Sequence, residues 1–231
     1  MNDQDKQQLP GKLRQPPGWL APAVVVLLTG TFLLLSGSAV SSKSSTIDEP
    51  LHTLGAWLIK HRSDYRLNRE DPPLWQHWAG LALPAGGFRA NVSEELWQST
   101  RRGVLNNQSY VVDTMSRTPG NDGEAMVQRA RGLMLVLGAV LVAVTFGWAR
   151  AAGGAVAGAL AGALVAMDPN FLSHAALMKN DVPFTLLVAA TLWTVWLCGR
   201  GITPLRCAAL LIVPALAVAT KFSGLVLPSV C

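Results

Sequence analysis

A chain of 231 residues with 50% hydrophobic and only 14% charged residues, and a mean hydropathy of +0.31, is too apolar for an ordinary soluble domain. The formal net charge of +5 would point to nucleic acid in a soluble protein. Here the basic residues are spread among turns and one mixed-sign segment, and no nucleic-acid motif occurs. Cys198, Cys207 and Cys231 lie in or near apolar runs, which is not the pattern of a disulfide framework.

Residues 1–18 are polar and proline-bearing and read as a disordered cytoplasmic tail. No charge interrupts the chain between Arg14 and Lys43. At about 1.5 Å per helical residue that run crosses a hydrocarbon core of roughly 30 Å, so residues 19–40 are expected to form the first transmembrane helix. Lys6, Lys12 and Arg14 ahead of an apolar run ending in "SGSAV" also fit a cleavable signal peptide. The run is long for a signal core, and further apolar runs follow it.

Residues 41–130 read as an outer, non-cytoplasmic loop. Leu51, Leu54, Trp57 and Leu58 recur at helical spacing, as do Leu74, Trp75, Trp78 and Leu81 after a double proline. Such Trp-bearing amphipathic helices are expected along the membrane surface, apolar side down. A weaker helical pattern follows near residues 94–105.

Residues 131–231 hold four more apolar runs, at 132–149, 151–167, 182–199 and 203–228, the last interrupted by Arg206 and Lys221. Gly154, Gly158 and Gly162 line one face of the third span and are expected to let another helix approach closely. With the N-terminus cytoplasmic, five spans place Arg150 and the basic turn at 200–206 inside as well. The expected fold is therefore an all-α polytopic bundle of about five transmembrane helices, with a long outer loop carrying interfacial helices, in a plasma or inner membrane. The last run stops at "LVLPSVC" without a polar tail, so the chain is expected to be an N-terminal fragment.

Two acidic, proline-bearing clusters stand in the outer loop, "TIDEPL" at 46–51 and "NREDPPL" at 68–74. Each has the grammar of a helix start, with Asp48 and Asp71 able to cap free N–H groups. They also share a membrane face with Asp168 and Asp181, and with Arg69, Arg129, Arg131, Lys179 and Lys221, the last snorkelling to that surface. A pocket of carboxylates and cations there suits transfer from a membrane-anchored phosphate donor. A carboxylate deprotonates the acceptor while Lys or Arg stabilises charge on the departing phosphate.

"DEPLH", "NREDPPLWQHW", "MDPNFLSHAALMKNDVPFTLL" and "ATKFSGL", in that order, resemble the membrane glycosyltransferases typified by protein O-mannosyltransferases and the aminoarabinose transferases of lipid A, of the GT-C fold. The resemblance implies an enzyme that moves a sugar from a polyprenyl-phosphate carrier to an acceptor on the non-cytoplasmic face. It implies Asp48 as the general base with Glu49 beside it, and Glu70, Asp181 and Lys221 as substrate-binding groups, Lys221 facing the carrier phosphate; Arg69, Asp71 and Lys179 join the substrate-binding set from their place at the same membrane face. "DPPL" stands where the family usually has "HPPL" or "KPP", so Asp71 replaces a basic or imidazole group; His52 and His77 are its nearest substitutes. No ligand spacing specifies a cofactor, and a divalent cation is left open where carboxylates meet. The competing expectation is a non-catalytic polytopic protein, an assembly subunit or transporter, or an inactive fragment of the transferase, in which the acids are merely caps.

Overall fold

The computed structural model describes residues 18–102 and 107–230. Most of the expected tail, residues 1–17, and Cys231 lie outside the described residues. Among these there are helices and no strands. In chain order they are α1 (Leu20–Ser41), α2 (Glu49–Arg62), α3 (Leu74–Gly80), α4 (Glu94–Arg101) and α5 (Asn107–Val112), which runs into a π-helical turn, Asp113–Arg117. Then come α6 (Gly123–Ala166), α7 (Pro169–His174), α8 (Asp181–Gly199), α9 (Pro204–Val218) and a closing 3-10 segment, Phe222–Val230.

Three of these helices, α1, α6 and α8, are long and apolar enough to cross a membrane. Their outward faces are large hydrophobics such as Val26, Leu27 and Leu34 on α1 and Val156, Leu160 and Leu164 on α6. So broad an exposed apolar surface belongs in lipid rather than water. This is a membrane protein. The last expected run divides instead: α9 stops at Val218, and the chain leaves helical geometry around Lys221 before the 3-10 segment. Fifteen helical residues span only about 22 Å at 1.5 Å each.

The 44 residues of α6 would reach about 66 Å if straight, more than twice a hydrocarbon core. They are not straight. Gly154 has φ 85° and ψ −173°, outside helical geometry, and the chain doubles back there. A Cβ on Gly158 would lie 2.7 Å from Arg150 Cβ, and one on Gly162 would lie 3.3 Å from Phe146 Cβ and 2.8 Å from Leu28 Cδ1. In a straight helix Phe146 and Gly162 would be about 24 Å apart. Gly158 and Gly162 thus form the small-residue packing face expected of them, while Gly154 supplies the reversal.

Two apolar cores result. One joins α1, α6, α7 and α8 through Phe32, Leu141, Val142, Ala166, Ala175 and Val182. Ser36 Oγ, within the same spans, donates to the Leu172 carbonyl at 2.8 Å, which satisfies a polar group that lipid would not. The other core lies mainly in the 41–130 segment, with Met134 and Met178 added, and for α2 it corrects the expectation of a surface-lying helix. Trp57 and Trp75 are each 2% exposed. They pack with Leu54, Trp97, Tyr110 and Met126, so the apolar face of α2 meets protein, while Leu81 just after α3 stays exposed. Trp57 Nε1 donates to Pro84 O and Trp78 Nε1 to Leu133 O, each at 2.9 Å, the second tying α3 to α6.

The backbone at Gly154 lies in a region open essentially to glycine alone, so Gly154→Ala is expected to destabilise the protein by about 1–3 kcal/mol. Gly132→Ala, where a Cβ meets nothing within 4 Å, is expected to be neutral or slightly stabilising. Thermal unfolding of the two variants in detergent checks the contrast; equal melting temperatures would contradict the account of the reversal.

Candidate functional site

The site begins with two adjacent acids at the start of α2 that have opposite fates. Glu49 is fully buried. Its Oε2 accepts from Arg131 Nη2 at 2.6 Å and from the Thr46 amide at 2.8 Å; its Oε1 accepts from Arg131 Nε at 2.8 Å and from the Met178 amide at 3.0 Å. Arg131 in turn donates to the carbonyls of Val40, Lys43 and Ser44. One ion pair therefore fastens together the loop after α1, the body of α6 and the loop before α8. Burial works to raise the Glu49 pKa, but the Arg131 hydrogen bonds and the two amides outweigh it and hold the carboxyl below its usual range. Glu49 is correspondingly out of reach of any substrate, which corrects its expected place beside the base, and Arg131 is an internal anchor rather than a surface cation.

Asp48, one residue earlier, keeps 48% of its side chain exposed. It occupies the N-cap position of α2, yet its carboxylate makes no capping hydrogen bond. Asp71 does not cap α3 either, since Pro73 holds that position. The acids that do cap are Asp122, which accepts from the Ala125 amide at 2.9 Å, and Asp168, which accepts from the Phe171 amide at 2.7 Å. Capping thus accounts for Asp122 and Asp168 and leaves Asp48 and Asp71 unexplained.

Glu49 decides what faces Asp48. Because it binds the Met178 amide, the next residue, Lys179, comes alongside, with Nζ 3.8 Å from Asp48 Oδ2. One turn into α2, His52 stands edge-on to Trp75 with ring centroids 5.0 Å apart, and Asn68 Nδ2 donates to its Nδ1 at 2.9 Å. That bond leaves the proton of a neutral ring on Nε2. Burial pushes the His52 imidazole below its usual range; Asp48 and Asp71 pull it back, Lys179 adds to the push, and Glu70 pulls weakly the other way. His52 is therefore neutral at pH 7, and of the acids named from sequence Asp48, Asp71 and Glu70 act on it.

Asp181, two residues after Lys179, pairs with Lys221 Nζ at 2.8 Å. Asn180, between the two, is buried with Nδ2 unpartnered. The Leu74 amide donates to the Ala219 carbonyl at 3.1 Å, drawing the double-proline turn against the segment that carries Lys221. Beside these charges runs an apolar groove of about 420 Å³, walled by Leu74, Trp75, Trp78, Leu137, Leu186 and Leu216, with Thr220 and Pro183 next to the Lys221–Asp181 pair. Arg69 departs from the expectation: it lines a separate pocket with Arg66 and Arg101. His77 borders the apolar groove and lies 3.4 Å from Tyr65 Oη. Among the described residues no group of three or more His, Cys, Asp or Glu side chains is placed to hold a metal ion.

Sequence reasoning undervalued His52 and passed over Asn68. The only signal for the first was its position one turn after Asp48; Asn68 carried none.

Glu49→Gln leaves Arg131 as an uncompensated buried charge and is expected to cost roughly 3–5 kcal/mol. Removing Arg131 as well, in Glu49→Gln/Arg131→Met, is expected to cost less than the sum of the single changes. Because the folded pKa of Glu49 is depressed, its contribution is present above the unfolded value near 4.5 and is lost as pH falls through the folded one. Melting temperatures between pH 7 and pH 3 check this: the parent loses stability through the acid limb and Glu49→Gln is flatter, whereas parallel curves would contradict it. No family model, curated protein or solved structure matches this chain.

Proposed function

We propose that this chain forms the donor side of a membrane glycosyltransferase, which moves a sugar from a polyprenyl-phosphate carrier to an acceptor hydroxyl at the non-cytoplasmic face. One juxtaposition carries the reading: the Lys221–Asp181 ion pair stands at the end of an apolar groove, and the Lys179–Asp48 pair begins two residues before Asp181. A prenyl chain needs an apolar channel open to the bilayer and its phosphate needs cations at the mouth; Leu186, Leu216 and Trp78 supply the first and Lys221 the second, with Lys179 two residues from its partner Asp181. A transporter site is favoured less, because its ionisable groups would sit near the middle of spans, whereas these lie in the 41–130 segment and at helix ends.

In the proposed reaction the acceptor oxygen attacks the anomeric carbon as the bond from that carbon to the phosphate oxygen breaks. The hydroxyl proton passes to the Asp48 carboxylate. The electron pair leaves with the polyprenyl phosphate, whose added negative charge is stabilised by Lys179 and Lys221. Direct displacement inverts the anomeric centre. Neutral His52, held by Asn68, orients the acceptor or the sugar with its Nε2–H, and Glu70 and Asp71 complete the polar rim. The topology that accompanies this reading has five membrane runs, the two arms of α6 counting separately. The N-terminus, Arg150 and residues 200–206 are cytoplasmic, and α2 to α5 lie outside.

Asp48→Asn, assayed in proteoliposomes with a radiolabelled polyprenyl-phosphate sugar, is expected to lower transfer by at least about a hundredfold, as loss of a general base does, without changing the melting temperature. Lys221→Met is expected to raise KM for the lipid donor and lower kcat, while a water-soluble sugar phosphate is affected less. Near-parent turnover of Asp48→Asn would remove Asp48 from the chemistry.

A further inference from the structure

A second pocket, of about 300 Å³, opens on the outer segment and is lined by Arg66, Arg69, Glu94, Trp97, Arg101 and Asn107. Three arginines line this hollow, and their circumstances differ. Arg66 is committed: it forms a fork with both oxygens of Asp64, bonds Glu94 Oε2 at 2.9 Å, and lies 4.8 Å from the centre of the Trp97 ring. Trp97 packs on Tyr110, ring centroids 5.3 Å apart, and Tyr110 Oη donates to the Asn91 carbonyl at 2.8 Å. The floor is therefore fixed. Arg69 and Arg101 make no ion pair with any described residue. The Trp97 indole N–H, buried in the wall, is also without a partner.

Like charges converging over an aromatic wall repel one another and focus a positive potential in the hollow, a cost that an oxyanion reverses. Guanidinium groups match the geometry of phosphate through paired N–H donors. We propose that this pocket binds a phosphate group, presented either as a free ester or as a lipid headgroup, through Arg69 and Arg101 with Asn107 at the rim. Glu94 opposes that binding by occupying Arg66 and placing a carboxylate at the edge. The inference does not rest on the transferase reading, since none of the six lining residues belongs to the Asp48–Lys179 cluster. It does give the 68–71 segment two tasks: Asn68 holds His52 on one side while Arg69 serves the phosphate pocket on the other.

Calorimetric titration of the full chain in neutral nanodiscs, with inorganic phosphate replacing chloride at constant ionic strength, tests this. Saturable phosphate binding is expected, weakened at least about tenfold in Arg69→Gln/Arg101→Gln through loss of charge-assisted hydrogen bonds and tightened in Glu94→Gln. If the double variant does not fold, Arg101→Gln alone, at the exposed end of α4, carries the same expectation. Glycerol 3-phosphate binding more tightly than inorganic phosphate would assign the site to a lipid headgroup; equal binding would assign it to a free phosphate. No binding above the chloride baseline, or binding unchanged in a folded arginine variant, overturns the proposal.

Discussion

The arrangement of this protein depends on one buried ion pair. Glu49 and Arg131 meet through two short hydrogen bonds in a place where neither reaches water. Taking both charges out of solvent costs several kcal/mol per ion, and only a full set of additional partners offsets it. Those partners are backbone groups of two separate segments, Val40 to Thr46 and Met178, while α6 supplies Arg131 itself. The electrostatic requirement is therefore also a positional one, because the pair is satisfied only when the loop after α1 and the loop before α8 lie side by side. Asp48 and Lys179 are the residues next in sequence to two of the anchored points, and so they face each other.

Much of the architecture was legible because the bilayer imposes a length. The apolar runs at 19–40 and 182–199 became α1 and α8 within a residue or two. The division near residue 150 was marked by Arg150 and the glycines after it. What periodicity could not say is which surface an amphipathic helix meets. The spacing of Leu51, Leu54, Trp57 and Leu58 is the same whether the helix lies on lipid or against protein. For α2 the answer lies in Trp97, Tyr110 and Met126, which come from later segments. Likewise the run at 203–228 satisfied a length criterion, yet its chain breaks where Lys221 turns to meet Asp181.

The candidate site was legible as a list and opaque as a geometry. Asp48 and Glu49 are neighbours with the same charge and the same local grammar. Glu49 is committed by residues 82 and 129 positions away, a distance across which local sequence carries no information. Arg69 and Glu70 diverge in the same fashion, one lining the arginine pocket and the other acting on His52. Capping grammar was correct as a rule of helix starts and was realised at Asp122 and Asp168, while the two proline-bearing clusters follow the grammar without using it. Helix-start residues that do not cap are a residual that structure alone exposes. In this chain one of the two, Asp48, faces Lys179, and the other, Asp71, stands three residues before Leu74 of the groove wall.

The most direct test of the central claim is dipolar broadening between nitroxide labels at positions 48 and 179, measured in lipid nanodiscs with the native cysteines replaced. If the buried ion pair sets the register of these two loops, the labels couple strongly in the parent background and the coupling is lost when Glu49 becomes Gln. Labels that do not couple, or that couple equally well without the Glu49 carboxylate, would contradict the account.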